Sequence, residues 1–126
     1  MKNILDDKSF AFAVRVVKMA RYLETEKREY ILGKQILRSG TAIGALVNEV
    51  VFAQSKADFV SKLSISLKEA NETSYWLKLL KETEYIDDAL YKSLYKDVTE
   101  ILALLLSSIK TAKEKLLRET DKKSKT

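Results

Sequence analysis

No cysteine, histidine or proline occurs in this 126-residue chain, and glycine occurs only three times. Without cysteine there is no disulfide framework and no thiolate chemistry. Without histidine, a Ser-His-Asp triad, a zinc finger and a Glu-x-x-His di-iron site are all excluded. Without proline, long helices can run uninterrupted, because proline removes a backbone donor and clashes with the preceding turn. Long apolar runs are missing too. "ILALLL", residues 101–106, is the longest, far short of the roughly 18 residues that span a bilayer, so no membrane partner is expected. The opening "MKNILDDKSF" has acids where an export signal is apolar, and the cytoplasm is the expected compartment.

What is present is charge and helical periodicity. The net charge is +5, and residues 110–126 hold seven basic side chains against three acidic ones. A basic end attracts phosphate backbones. It is equally what a solvated last turn carries, since cations suit the negative end of the helix dipole.

The apolar spacing predicts four helices. Ser9 is placed to cap the first, which should run to about Glu26. It carries two stripes, Phe10, Ala13, Val14, Val17 and Phe12, Val16, Met19, Leu23, which together cover more than half its circumference. "TEKREY" reads as a connection. A second helix, about Tyr30 to Gln54, has the stripe Leu32, Ile36, Ile43, Val47 and Val50, with Leu46 close by. Ser39, Gly40 and Gly44 fall on or beside it, where small residues admit another helix closely. Each glycine costs about 1 kcal/mol against alanine in a helix, so either a packing demand or a local break is implied. Ser55, with Asp58 three residues later, resembles a capping box. It should open a third helix ending near Thr83, with the stripe Phe59, Val60, Leu63, Leu67, Ala70 and Leu77. "TEYIDD" turns the chain, and Asp87 or Asp88 caps a fourth helix bearing Leu90, Leu94, Val98, Ile101, Leu102, Leu105, Ile109, Ala112 and Leu116. The expected fold is all-α, an antiparallel up-down-up-down four-helix bundle over residues 1–118, with 119–126 as a frayed basic tail.

The third helix is unusually polar beside its tryptophan. On a helical wheel Ile65, Glu69, Glu72, Trp76, Leu79 and Leu80 gather away from the expected core stripe. Apolar groups around carboxylates on such a face suggest a partner surface, and these six are candidate oligomer contacts. Glu69 and Glu72 are helical neighbours, and paired carboxylates can hold a metal or move protons. Solvation, ordinary ion pairing or a polar network between subunits accounts for them without chemistry. No catalytic, cofactor-binding or metal-binding residue is therefore assigned. A carboxylate metalloenzyme would have to assemble Glu49, Glu69 and Glu72.

The run "YILGKQILRSGTAIGALVNEVVFAQSKADFVSKLSISLKEANETSYWLKLL" resembles the 23S ribosomal RNA intervening-sequence protein family, also called the four helix bundle protein family. "LRSGTAIG", "AQSKADF", "KLSISLKEANETSYWL" and "LKETEYI" carry the resemblance in order, and "SFAFAVRVVKMARYL" is similar to the family's first helix. It covers roughly residues 3–112. The resemblance implies a four-helix bundle assembling as a homopentamer with a central opening, nucleic-acid association and no enzymatic chemistry. Some members are encoded inside bacterial large-subunit ribosomal RNA genes. A related bundle is the accessory protein of diversity-generating retroelements, which associates with a reverse transcriptase. The chain departs from the family pattern, close to "SIGANIxEA", where it reads "AIGALVNEV". Leu46 replaces an asparagine and Val50 a small residue, while Glu49 is retained.

The expected function is thus a non-enzymatic, oligomeric nucleic-acid-binding adaptor whose partners are further copies of itself and RNA or DNA. Candidate phosphate contacts are Arg15, Lys18 and Arg21 on the first helix, Lys34 and Arg38 on the second, and Arg118, Lys122, Lys123 and Lys125 at the end. No base-reading motif is present, so shape and charge should dominate. The alternative is a structural adaptor for a nucleic-acid-processing protein, in which the apolar surfaces count and the charge is incidental.

Overall fold

The computed structural model describes residues 4–124, except for the side chains of residues 123 and 124. Four α-helices follow one another: α1 (Ile4–Thr25), α2 (Leu32–Glu49), α3 (Lys56–Glu82) and α4 (Asp88–Ser124), with a 3-10 turn over Val50–Phe52 between α2 and α3. They close into a four-cornered bundle. α1 packs on α2 and α4, and α3 packs on α2 and α4, with no contact across either diagonal among the described residues. Every neighbouring pair is antiparallel. Lys8 meets Glu100 and Arg15 meets Asp97, Ser39 meets Thr73 and Ser66 meets Ile43, and Lys81 meets Asp88 at 3.6 Å. No helix among the described residues is long and apolar enough to cross a membrane.

The two stripes of α1 divide as burial requires. Phe12, Val16, Met19 and Leu23 enter the core, joined by Ile36, Ile43 and Val47 of α2. Leu63, Ala70, Leu77 and Leu80 of α3, and Leu94, Val98, Ile101, Leu105 and Ile109 of α4, complete it. Phe10 and Val14, from the other stripe, are 72% and 39% exposed. Ile86, within the α3–α4 turn, is buried and closes one end of the bundle.

Several boundaries differ from the sequence reading. Ser9 does not cap α1, which begins at Ile4 with Asp6 and Asp7 in its first turn. Acids there complement the positive end of the helix dipole. Ser9 is instead buried within the helix, its hydroxyl donating to the Asp6 carbonyl at 3.2 Å. α2 is shorter than expected. It starts after Glu29, whose carboxylate accepts from the N–H groups of Ile31 (3.1 Å) and Gly33 (2.8 Å). It ends in the 3-10 turn, after which Ala53 is extended. Burial disfavours the Glu29 carboxylate, but the backbone donors of Gly33, Leu32 and Ile31 outweigh it and hold its pKa below the ordinary value. The α3 start is as expected: Ser55 Oγ accepts from Asp58 N–H at 3.0 Å. Asp58 reaches back to Gln54 N–H at 3.1 Å, one residue earlier than a standard box. Asp87, rather than Asp88, caps α4 by accepting from Leu90 N–H at 2.8 Å. The helical backbone of α4 continues past Arg118 to Ser124.

α2 runs unbroken through Gly40, so packing accounts for that glycine. A Cβ at Gly40 would lie 2.8 and 2.9 Å from the two methyls of Val16. Valine is stiff about its first torsion and cannot swing clear. At Gly44 a Cβ would sit 3.2 Å from the Ser9 carbonyl oxygen. Small buried hydroxyls then join α2 to α3. Thr73 donates to Ser39 at 2.9 Å and Ser66 donates to the Ile43 carbonyl at 3.0 Å. No buried side-chain polar atom among the described residues lacks a partner.

Gly40→Ala tests this contact. Alanine is the better helix former by about 1 kcal/mol, yet overpacking costs about 1–3 kcal/mol. Urea unfolding should show a net loss, and Val16→Ala in the same chain should recover part of it. Stabilisation by Gly40→Ala alone would refute the close approach.

Candidate nucleic-acid interface

The polarity around Trp76 has an explanation within the chain. Arg38, one residue before buried Ser39, leaves α2 toward α3 and is held by two carboxylates. Its guanidinium donates to Glu69 at 3.0 Å and to Glu72 at 2.6 Å. Glu72 also accepts the Trp76 indole N–H at 3.2 Å. Tyr75 meets Trp76 edge to face, with ring centroids 5.1 Å apart. The i, i+3 spacing of Glu69 and Glu72 thus makes a fork that grips one arginine. All four members belong to one chain. The Arg38 hydrogen bond, followed by that of Trp76, holds the Glu72 carboxyl below its ordinary range. Glu72 in turn, with the charge of Glu69, raises Arg38.

The six proposed interface positions therefore separate. Ile65 is 47% exposed. Glu69, Glu72, Trp76 and Leu79 are half-buried beside the core. Leu80 is fully buried in it, not on the outer surface. The core face of α3 is rotated from the stripe read in sequence because Ser66 and Thr73 lie at its centre, and neither registers as apolar. Among the described residues no group of acids converges in a way that could hold a metal ion, so Glu49, Glu69 and Glu72 are not brought together.

The cations also separate. Arg15 bonds Asp97 at 2.6 Å and Ser93 at 2.9 Å, tying α1 to α4. Lys8 does the same with Glu100 at 2.7 Å, and that bond raises the lysine pKa and lowers the glutamate's. Arg15 and Arg38 are therefore engaged in the fold. Lys18, Arg21 and Lys34 are exposed and make no ion pair among the described residues. Arg118 and Lys122 are exposed on the last turns of α4. The Lys123 side chain and the whole of Lys125 lie outside the described residues.

Apolar groups share this surface. A groove of about 700 Å³ between α1 and α2 is lined by Phe10, Ala13, Thr41, Gly44 and Ala45, with Asp6 and Asp7 among its other walls. Val51 and Phe52 in the 3-10 turn are 71% and 77% exposed. The helical spacing counted them into α2 and so missed them as a surface feature. Leu46 and Val50, where the sequence departs from the pattern it resembles, are half-buried, and Val50 packs on the core.

Residues 1–107 match the protein family described as 23S rRNA-intervening sequence protein. No curated protein matches the chain. A solved structure from Bacteroides thetaiotaomicron, described as a protein with unknown function from the S23 ribosomal protein family, is similar at 56% identity with a TM-score of 0.85. The match covers 86% of this chain and 96% of that one.

The Arg38 fork makes stability depend on acid. A carboxyl whose folded pKa is depressed stabilises fully above its unfolded value, about 4.3 for glutamate. That contribution is lost as pH falls through the folded value. Melting temperatures between pH 7 and pH 3 should fall less steeply for Glu72→Gln than for the parent. Emission of the single tryptophan should shift on the same substitution. Identical acid profiles would contradict the fork's role.

Proposed function

We propose that this chain, which belongs to the 23S rRNA-intervening sequence protein family, is a non-enzymatic, self-associating adaptor that binds nucleic acid through charge and shape. The observation that carries this is the far end of α4. From residue 113 to residue 122 every side chain except Leu116 is exposed, and Lys113, Lys115, Arg118 and Lys122 project from those turns. Lys18, Arg21 and Lys34 add exposed cations on α1 and α2. Lysine and arginine neutralise phosphates and release counterions, with no need for a base-reading element.

Self-association rests on exposed apolar side chains, Phe10 and Val14 on α1 and Ile65 on α3, because large apolar groups left in water mark partner surfaces. The resemblance read in the sequence supports a pentamer in the cytoplasm. A ring multiplies a charge of +5 per chain into a field that draws polyanions. A second reading, a structural adaptor for a nucleic-acid-processing protein, is favoured by exposed Val51 and Phe52, which offer an apolar contact without charge.

Light scattering at micromolar concentration should give several times the 14.4 kDa chain mass; a clean monomer would refute self-association. Binding to mixed-sequence RNA and DNA should weaken linearly with log salt, by roughly 0.7–0.9 in slope for each phosphate contact. Truncation after Leu117 should weaken binding to all sequences alike, flatten that slope and leave the oligomer intact. Absence of binding even at low salt would transfer the function to the protein-adaptor reading.

A further inference from the structure

Between the start of α3 and the last third of α4 lies a cavity of about 440 Å³, within the range of pockets that hold small ligands. It is lined by Lys56 and Phe59 of α3 and by Ser107, Ser108, Thr111 and Lys115 of α4. Its chemistry differs from that of the other helical surfaces. Thr41, Ser64 and Thr99 return their hydroxyls to the carbonyl four residues back. Such back-bonding is the ordinary use of a hydroxyl within a helix. Among the described residues the hydroxyls of Ser107, Ser108 and Thr111 make no hydrogen bond, and Lys115 makes no ion pair. Three uncommitted hydroxyls and an uncommitted ammonium thus face one cleft beside a half-buried aromatic ring.

We infer that this cleft binds one nucleotide of a single-stranded nucleic acid, with its phosphate on Lys115 and Lys56, its sugar on the hydroxyls and its base against Phe59. The inference rests on the nucleic-acid reading above and assigns it a place. Charge complementarity selects the occupant. The cleft offers two cations and donor hydroxyls beside an apolar wall, which matches a phosphate joined to a flat ring. Unpaired bases stack on aromatic side chains whatever their identity, and lysines track the backbone. A duplex keeps its bases stacked inside and cannot use Phe59 in this way. The track continues out of the cleft. Lys122 lies two helical turns beyond Lys115 on the same face of α4, about 10 Å farther along.

Glu119 limits this binding. It lies one turn beyond Lys115 and pairs with Lys56 across the mouth of the cleft. A phosphate must take Lys56 from that carboxylate, so Glu119 competes with the ligand as a tethered anion. Removing its charge should tighten binding, the reverse of what loss of a structural contact does.

The test uses the full chain and a fluorescein-labelled single-stranded RNA of 12 mixed nucleotides, read by anisotropy at several salt concentrations. Lys115→Ala and Lys56→Gln should each weaken binding severalfold and lower the salt slope by about 0.7. Phe59→Leu, which keeps an apolar side chain in place, should weaken binding about fivefold or more through lost stacking. Glu119→Gln should tighten it. Lys78→Ala and Lys110→Ala serve as charge-matched controls, because Lys110 lies on the opposite side of α4 from Lys115, Lys78 lies toward the far end of α3 from Lys56, and both are exposed. They should change binding much less. Equal effects from the controls, or no gain from Glu119→Gln, would overturn the cleft while leaving diffuse nucleic-acid binding in place. No binding by the parent chain at low salt would remove both. Unchanged melting temperatures across the set would confine the effects to binding.

Discussion

The close approach of α1 and α2 at Gly40 is the constraint on which the remaining geometry rests. Val16 fills the space a side chain at position 40 would take. That contact sets the depth of α2 in the bundle and so places Ser39, the neighbouring residue, at the α2–α3 seam. Only there can its hydroxyl accept from Thr73. Arg38, one residue earlier, then emerges at the rim of the same seam within reach of Glu69 and Glu72. Three consecutive residues thus perform three tasks in order: a rim clamp, a buried hydrogen bond and a close helix contact. A larger residue at position 40 would push α2 outward and loosen the other two.

Charge is distributed in two ways. Where helices meet, cations are paired across the seam: Lys8 with Glu100, Arg15 with Asp97, and Arg38 with its two glutamates. These pairs are partly exposed, and each contributes little stability on its own. Their value is orientational, since they join neighbouring helices in antiparallel register. Away from the seams, Lys18 and Arg21 on α1, Lys34 on α2 and Lys115 on α4 are exposed and carry no such partners among the described residues.

Family and fold agree for this chain. The 23S rRNA-intervening sequence family match spans residues 1–107, and the Bacteroides structure shares the fold at 56% identity. The family match ends at residue 107, before the final turns of α4, and those turns carry a dense exposed basic charge.

Much of the architecture was legible in the residues themselves. The spacing of Phe12, Val16, Met19 and Leu23, and of Leu94, Val98, Ile101 and Leu105, placed the core because a buried helix face repeats every three to four residues whatever it packs against. Ser55 marked the start of α3 because a cap is a local hydrogen bond. The glycines signalled a close contact, though not its partner. The rest depended on distance in space. Arg15 and Arg38 read as free cations because their partners lie 82 and 34 residues away in sequence. Leu80 read as surface because Ser66 and Thr73, polar by type, are buried once Ile43 and Ser39 stand opposite them. Composition and periodicity therefore determined that four helices bury one stripe each. Which polar groups entered the core and which cations were spent in joining helices were decided only by the tertiary structure, because a bond between helices needs both partners within about 3 Å and each helix supplies only one of them.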